Sequence, residues 1–287
     1  MEKTVTLNNG VEMPIAGYGV FQVSPDECER CVADAISVGY RSIDTAQAYF
    51  NEEQVGRAWR RSGVSRDELF LTTKVWVSNA GERRAAASID TSLRKLQTDY
   101  IDLLLIHQPF GDYYGTYRAM EDALRAGKVR AIGVSNFHYE RFLDIAENMT
   151  VKPAVNQLEV NVFGQQHRMQ ELAARYGTRL MAWGPLAEGA NGFFTNPLLT
   201  EIGAKYGRSV AQVALRWLVQ RGIIVIPKTV RRERMEQNLD IFGFMLSDDD
   251  MAAIRTLDTG HGAVVDFSDA EQMIGLYEVI KNYKVEE

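Results

Sequence analysis

Eight times along this chain a short apolar run of strand character gives way to a longer stretch with helical periodicity. Alternation of that kind implies parallel strands, because each return to the same sheet edge needs a crossover helix. The strand candidates are GYGVF (17–21), 40–45, LFLTTKV (69–75), IDLLLIH (101–107), VRAIGVSN (129–136), AVNQLEV (154–160), RLMAWGPL (179–186) and IIVIPKT (223–229). The helix candidates are 25–38, 52–62, 82–96, 114–126, 138–148, 166–176, the pair 197–206 and 209–221, and 231–241. IDLLLIH is apolar almost without interruption, as a strand covered on both faces should be. Eight units in 287 residues favour a closed (β/α)8 TIM barrel, one domain spanning 1–287, over an open sheet. An open dinucleotide fold also wants G-x-G-x-x-G after an early strand, and Gly17-Tyr18-Gly19 runs on into Val20-Phe21-Gln22 with no third glycine. Ahead of the barrel, TVTLNNGVEMPIAG reads as a β-hairpin turning at Asn9-Gly10. After Leu257 the pattern weakens, with a last helix predicted across 268–282.

In such a barrel the chemistry sits at the C-terminal ends of the strands. Read there, the chain offers Asp44 with Tyr49 just beyond it, then Lys74, His107, Ser135 with Asn136, Gln157, Trp183, and Lys228 with Thr229. Asp44 poses the sharpest question, because a carboxylate at the rim of a core is costly unless it is paired. Lys74, on the neighbouring strand, is the expected partner. A charged Lys74 beside Tyr49 favours the phenolate and is expected to lower a pKa that is ordinarily about 10. A tyrosine tuned in that way is a usable general acid. His107 is placed to hydrogen-bond the atom that receives the proton. Together Asp, Tyr, Lys and His point to proton delivery to a carbonyl oxygen. Singly each has a plainer reading: a turn cap, an amphipathic surface tyrosine, a structural histidine. The case rests on their joint placement at one rim.

The net charge of −6 argues against a general basic surface for nucleic acid or anionic membrane. No apolar run approaches the roughly 18 residues that span a bilayer. MEKTVTLNNG lacks the basic and apolar regions of a signal peptide, so a cytoplasmic protein is expected. A monomer with no nucleic-acid or membrane partner is also expected. Cys28 and Cys31 form a C-x-x-C inside a predicted helix that begins at Ser24-Pro25. Their spacing puts both on one helix face, which favours packing over redox or metal chemistry.

Several segments resemble the aldo-keto reductases over nearly the whole chain. GYRSIDTAQAY is similar to the family's G-x-R-x-x-D-T-A-x-x-Y, LTTKVW to its strand-three lysine segment, IDLLLIHQP to its strand-four histidine segment, and IGVSNF to its strand-five signature. IPKTVRRERMEQN resembles its cofactor segment. The resemblance implies an NADPH-dependent carbonyl reductase that uses no metal. It implies that Tyr49 is the proton donor, that Lys74 and Asp44 tune it, and that His107 orients the substrate carbonyl. Ser135, Asn136 and Gln157 are implied to hold the nicotinamide carboxamide, with Trp183 stacked on its ring, where many members have tyrosine. Gly19, Val20 and Phe21, the loop Gly184, Pro185 and Leu186, and Lys228, Thr229 and Val230 with Arg234, Gln237 and Asn238 complete the implied cofactor set. Lys228 and Arg234 are the cations expected at the phosphate that distinguishes NADP from NAD, while Arg231 and Arg232 read as a solvated helix face.

One departure stands out. Gln108 follows His107 where many members carry tryptophan. With Tyr113 and Tyr114 in the same loop it suggests a polar pocket and small dicarbonyl, keto-sugar or simple aldehyde substrates, as in the family's bacterial branch. Two other functions compete. A metal-dependent barrel hydrolase or isomerase needs several ligands at strand ends, yet of four histidines only His107 ends a barrel strand, and Lys74 repels a divalent ion. A non-catalytic dinucleotide-binding barrel is the other, and loss of Tyr49 or Lys74 would have signalled it.

Overall fold

The structure is a computed structural model that describes residues 3–285. It opens with the expected hairpin, β1 (Thr4–Thr6) antiparallel to β2 (Glu12–Pro14). Gly10 takes φ +86° at the turn, a left-handed value that a side chain would strain. Eight parallel strands follow: β3 (Tyr18–Gly19), β4 (Ser42–Asp44), β5 (Phe70–Val75), β6 (Ile101–Ile106), β7 (Val129–Ser135), β8 (Val155–Glu159), β9 (Arg179–Trp183) and β10 (Ile224–Val225). Each pairs with the next in chain order. The ring closes where Ala16 bridges Val225, with the Val225 N–H donating to the Ile15 carbonyl and the Gly17 N–H to the Val225 carbonyl. The backbones come close at this seam: a Cβ on Gly19 would lie 2.9 Å from the Ile226 carbonyl oxygen.

Helices α1 (Pro25–Val38), α2 (Glu52–Arg61), α3 (Glu82–Leu96), α4 (Tyr113–Arg125), α5 (Tyr139–Asn148) and α6 (His167–Ala174) follow β3 to β8 in turn. The pair α7 (Pro197–Tyr206) and α8 (Val210–Gln220) separates β9 from β10. After β10 come α9 (Arg232–Leu239), α10 (Asp248–Arg255) and α11 (Ala270–Asn282). Local chemistry sets these bounds. Pro25 sits in the first turn of α1, where its missing N–H costs nothing, and Gly39 stops the helix in a left-handed turn. Between them Cys28, Cys31, Val32, Ala35 and Ile36 make one buried stripe at helical spacing. The two cysteines are therefore core residues with free thiols. Burial pushes the Cys28 thiol up to about 12, which suppresses thiolate chemistry.

Strand β6 is buried along its whole length. Ile101, Leu103, Leu104 and Leu105 are all fully buried. Each such side chain contributes roughly 1.5–3 kcal/mol. At the floor of the barrel β6 also buries Asp102, which accepts from Arg66 Nη2 (2.6 Å), Arg130 Nη1 (2.7 Å) and the Leu71 N–H (2.9 Å). The eighth strand is shorter than its apolar run suggests. Only Ile224 and Val225 join the ladder, and Pro227 has no N–H with which to extend it. Lys228, Thr229 and Val230 consequently lie beyond the sheet, leading into α9. No helix among the described residues is long and apolar enough to cross a membrane.

Candidate active site

The strand register explains how Asp44 finds its partner. Asp44 lies level with Thr72 on β5, and side chains alternate along a strand. Lys74 thus stands one repeat higher on the same face. It is fully buried, and its ammonium has three acceptors: Asp44 Oδ1 at 2.5 Å, the Thr45 carbonyl at 2.9 Å and Tyr49 Oη at 3.3 Å. Three donors meet three acceptors, so the buried cation is satisfied. The second carboxylate oxygen of Asp44 accepts from Gln157 Nε2 at 2.8 Å. Tyr49 comes from a single helical turn, Gln47–Tyr49, and is half-buried, with Lys74 Nζ 4.8 Å from its ring centroid. His107, just past β6, stands edge-on to the Tyr49 ring at 5.5 Å and to the Trp76 ring at 4.9 Å. Its Nδ1 is buried with no partner among the described residues.

Electrostatics follow from burial. Burial disfavours the Lys74 ammonium, yet the Asp44 and Tyr49 oxygens more than offset it and hold the pKa above the ordinary lysine value. Burial pushes the Asp44 carboxyl up, against the pull of Lys74 and Gln157. Burial also dominates at Tyr49, so its pKa is raised although Lys74 works to lower it. This reverses the direction expected from sequence, where the ammonium was visible but the desolvation was not. Burial, helped by Lys74, lowers the pKa of His107 well below 6.5, so the ring is neutral at physiological pH. The result is a protonated phenol whose oxygen already accepts from an ammonium. Its own O–H is left to donate elsewhere.

The remaining residues gather round this group. Ser135 on β7 lies opposite Gln157 on β8 and donates to its carbonyl at 3.0 Å. Asn136, in a left-handed conformation, donates to the His107 carbonyl and accepts from Trp183 Nε1 at 2.9 Å. That contact fixes the edge of a half-buried indole. The loop after β9 carries positive φ at Gly184, Ala187, Glu188, Gly189, Asn191 and Gly192, with Pro185 buried and Leu186 partly buried. Gly19 and Val20 are buried, whereas Phe21 is exposed and packs 5.1 Å from the Tyr49 ring. Lys228, Arg234 and Gln237 are exposed, Val230 partly buried, and Thr229 and Asn238 buried. Thr229 Oγ1 accepts the Arg231 N–H. Arg232 is tied to Asp34, Ser37 and Glu236, as a surface helix face should be. Among the described residues Lys228 and Arg234 form no ion pair.

Tyr113 and Tyr114 commit their hydroxyls to a neighbouring helix. Their stacked rings both donate to Asp144 of α5, at 2.8 and 2.7 Å. The helix start at Tyr113 turns them toward a neighbouring helix. Three residues escaped the sequence reading. Trp76 flanks His107. Glu159, buried at the end of β8, accepts the backbone N–H groups of Ala263, Val264 and Val265 and so pins the tail. An acid at a strand end was the same signal that singled out Asp44. Tyr283 reaches Ala48 and Trp76 from across the chain, and nothing local announces it. A 340 Å³ cavity beside α2 and α3, lined by Glu52, Arg84 and Lys95 among others, includes none of Asp44, Tyr49, Lys74 or His107. Among the described residues no group of three or more His, Cys, Asp or Glu side chains is gathered as a metal site would need.

The model of the Aldo/keto reductase family matches residues 15–259. The chain belongs to the aldo/keto reductase family. Its relatives include the glyoxal reductase of Bacillus subtilis (strain 168), 45% identical over 90% of this chain and 93% of that protein. The methylglyoxal reductase of Yersinia pestis is 39% identical over 91% of this chain and 94% of its own. Among solved structures, a Bombyx mori aldo-keto reductase in complex with NADP superposes with a TM-score of 0.87 at 36% identity, covering 93% of this chain and 96% of that one. As an aldo/keto reductase barrel, the chain joins Asp44, Tyr49, Lys74 and Gln157 in one hydrogen-bonded group and Asn136 to Trp183 in another.

Proposed function

We propose that this protein reduces aldehydes and ketones to alcohols with NADPH, with Tyr49 as the general acid. The observation that carries the reading is the contact from Lys74 Nζ to Tyr49 Oη, with Lys74 held in turn by Asp44. The residues present suit the cofactor. Trp183 offers a ring fixed at its edge, Ser135, Asn136 and Gln157 cluster beside it, and the loop 184–192 turns left-handed repeatedly. Lys228 and Arg234 supply cations beside the N-terminus of α9, where anions are favoured.

When bound, NADPH supplies a hydride to the carbonyl carbon. The chain must then place one proton on the oxygen. The Tyr49 O–H bond breaks as the new O–H bond forms on the substrate. The phenolate left behind is stabilised by the Lys74 ammonium and recovers its proton from solvent. A neutral His107 donates a hydrogen bond to the carbonyl oxygen and fixes its position, which a charged imidazolium would contest as a rival acid. Phe21 packs against the Tyr49 ring and Trp76 against the His107 ring, giving the group apolar neighbours. Small dicarbonyls, keto sugars and simple aldehydes are the substrates proposed, in keeping with the glyoxal and methylglyoxal reductases among the relatives.

The test is NADPH oxidation by the purified protein with a panel of carbonyls, with and without a chelator. Chelator-insensitive turnover of glyoxal, methylglyoxal or simple aldehydes is expected. NADPH binding without turnover of any carbonyl would favour a non-catalytic barrel.

A further inference from the structure

We propose that Tyr283 is a positioning residue for this reduction, holding Tyr49 and His107 in place from outside the barrel. The inference rests on the reductase reading of the site. Tyr283 lies beyond the segment matched to the family, which ends at residue 259. It follows α11, a helix that buries only Ile280 and leaves Ile274, Tyr277 and Val279 exposed. A helix so lightly packed is held mainly by its ends. At the far end Glu159 grips residues 263–265, and at the near end Tyr283 and Val285 attach to the barrel rim.

The near attachment falls on the catalytic turn. Tyr283 Oη donates to the carbonyl of Ala48 at 2.9 Å, one residue before Tyr49. Its ring packs 5.6 Å from Phe50, one residue after Tyr49. Phe50 has φ +54°, a left-handed value that a bulky residue holds only when its surroundings impose it. Tyr283 thus brackets Tyr49 on both sides, at the place where the backbone most needs support. The same residue reaches His107. Its carbonyl accepts from Trp76 Nε1 at 2.8 Å, its ring meets the Trp76 ring at 5.6 Å, and Trp76 stands edge-on to His107 at 4.9 Å. One side chain and its carbonyl therefore set the proton donor and the histidine relative to each other. Tyr283 shares no hydrogen bond with Lys74 or Asp44, so its effect must be geometric.

The experiment compares Tyr283→Phe, which keeps the ring, with Tyr283→Ala, which removes it. A third variant, Tyr277→Ala, loosens α11 from Phe110, a contact at 5.1 Å, and leaves residues 48–50 alone. The readouts are single-turnover NADPH oxidation at saturating carbonyl, KM, the NADPH dissociation constant and the melting temperature. Tyr283→Phe is expected to slow the single turnover about three- to tenfold, the worth of one hydrogen bond. Tyr283→Ala is expected to slow it by up to about a hundredfold, as misplaced catalytic groups do. NADPH affinity should hold in both, and the Phe variant should melt as the wild type does. Tyr277→Ala should keep the wild-type rate. The proposal is overturned if Tyr283→Phe and Tyr283→Ala both react within about twofold of wild type, less than one hydrogen bond is worth. It is also overturned if Tyr277→Ala is as slow as Tyr283→Ala, since the effect would then belong to the tail in general. A wild type inactive on every carbonyl, or a fully active Tyr49→Phe, would sink the reductase reading and this inference with it.

Discussion

Asp44 and Asp102 are both buried aspartates on barrel strands, one at the top of β4 and one near the start of β6. Their partners differ. Asp102 binds two arginines, of which Arg130 is 43% exposed at its side chain, and a backbone N–H. Its acceptors are taken up, and the cations still reach water. Asp44 binds Lys74, whose side chain is 0% exposed, and a glutamine. The Lys74 ammonium passes on to a phenol, and the phenol stands beside a neutral imidazole. The floor of the barrel is a closed hydrogen-bond account, suited to holding strands. The rim leaves the Tyr49 hydroxyl hydrogen free to donate and partly open to solvent, and a titratable group of that kind is one that can act on a substrate.

That contrast breaks most sharply at Tyr49. Tyr49→Phe should cut carbonyl reduction by roughly 100- to 10,000-fold. NADPH binding, followed by fluorescence quenching, should be retained. A Phe variant turning over near the wild-type rate would mean that the rim is as structural as the floor. Asp102→Asn is the mirror experiment. Losing the charged acceptor of two arginines should lower stability by about 1.5–3 kcal/mol, read as an earlier denaturant midpoint. The rate per folded molecule should not change, and a slowed rate would erase the distinction.

Lys228 and Arg234 sharpen it further, because among the described residues they lack the anionic partners that Arg66 and Arg130 have. Lys228→Ala and Arg234→Ala should each weaken NADPH binding about ten- to a hundredfold and NADH binding much less. The preference should shrink as salt rises. Equal dissociation constants for NADPH and NADH in the wild type would remove both residues from the cofactor site.

The smallest effects concern pH. Reduction requires the protonated phenol, and burial raises the Tyr49 pKa, so the rate should fall only above pH 10. Neutral His107 should add no break near 6.5. Stability has its own dependence. Burial lowers His138 to about 4 from 6.5, so between those values the unfolded chain binds the extra proton. Stability is then fully present above 6.5 and declines as pH falls toward 4, a slope that thermal melts should show and His138→Gln should flatten.

Much of this was legible in the residues. Helices 25–38, 82–96, 197–206 and 209–221 appear within a residue or two of their predicted bounds, because Pro25, Gly39 and Gly207 punctuate the chain where the hydrophobic stripes begin or end. The pairing of Asp44 with Lys74 was also readable, since adjacent parallel strands in known order bring their C-terminal ends together. The pocket was less so. Tyr113 and Tyr114 looked like pocket residues because they follow a strand end. Their direction depends on where α4 starts and on Asp144, 31 and 30 residues away.

By itself, then, the sequence determined the alternation that makes a barrel, the face on which its polar strand ends meet, and the packing role of the C-x-x-C. Those are local properties, set by periodicity, caps and the direction of parallel strands. Tertiary structure alone decided the sign of the Tyr49 shift, because desolvation depends on everything packed around a group. It alone decided that Glu159 holds residues 263–265 and that Tyr283 reaches Ala48, a separation of 235 residues. Contacts at such distances leave no periodic trace in a single chain, so only the closed fold can reveal them.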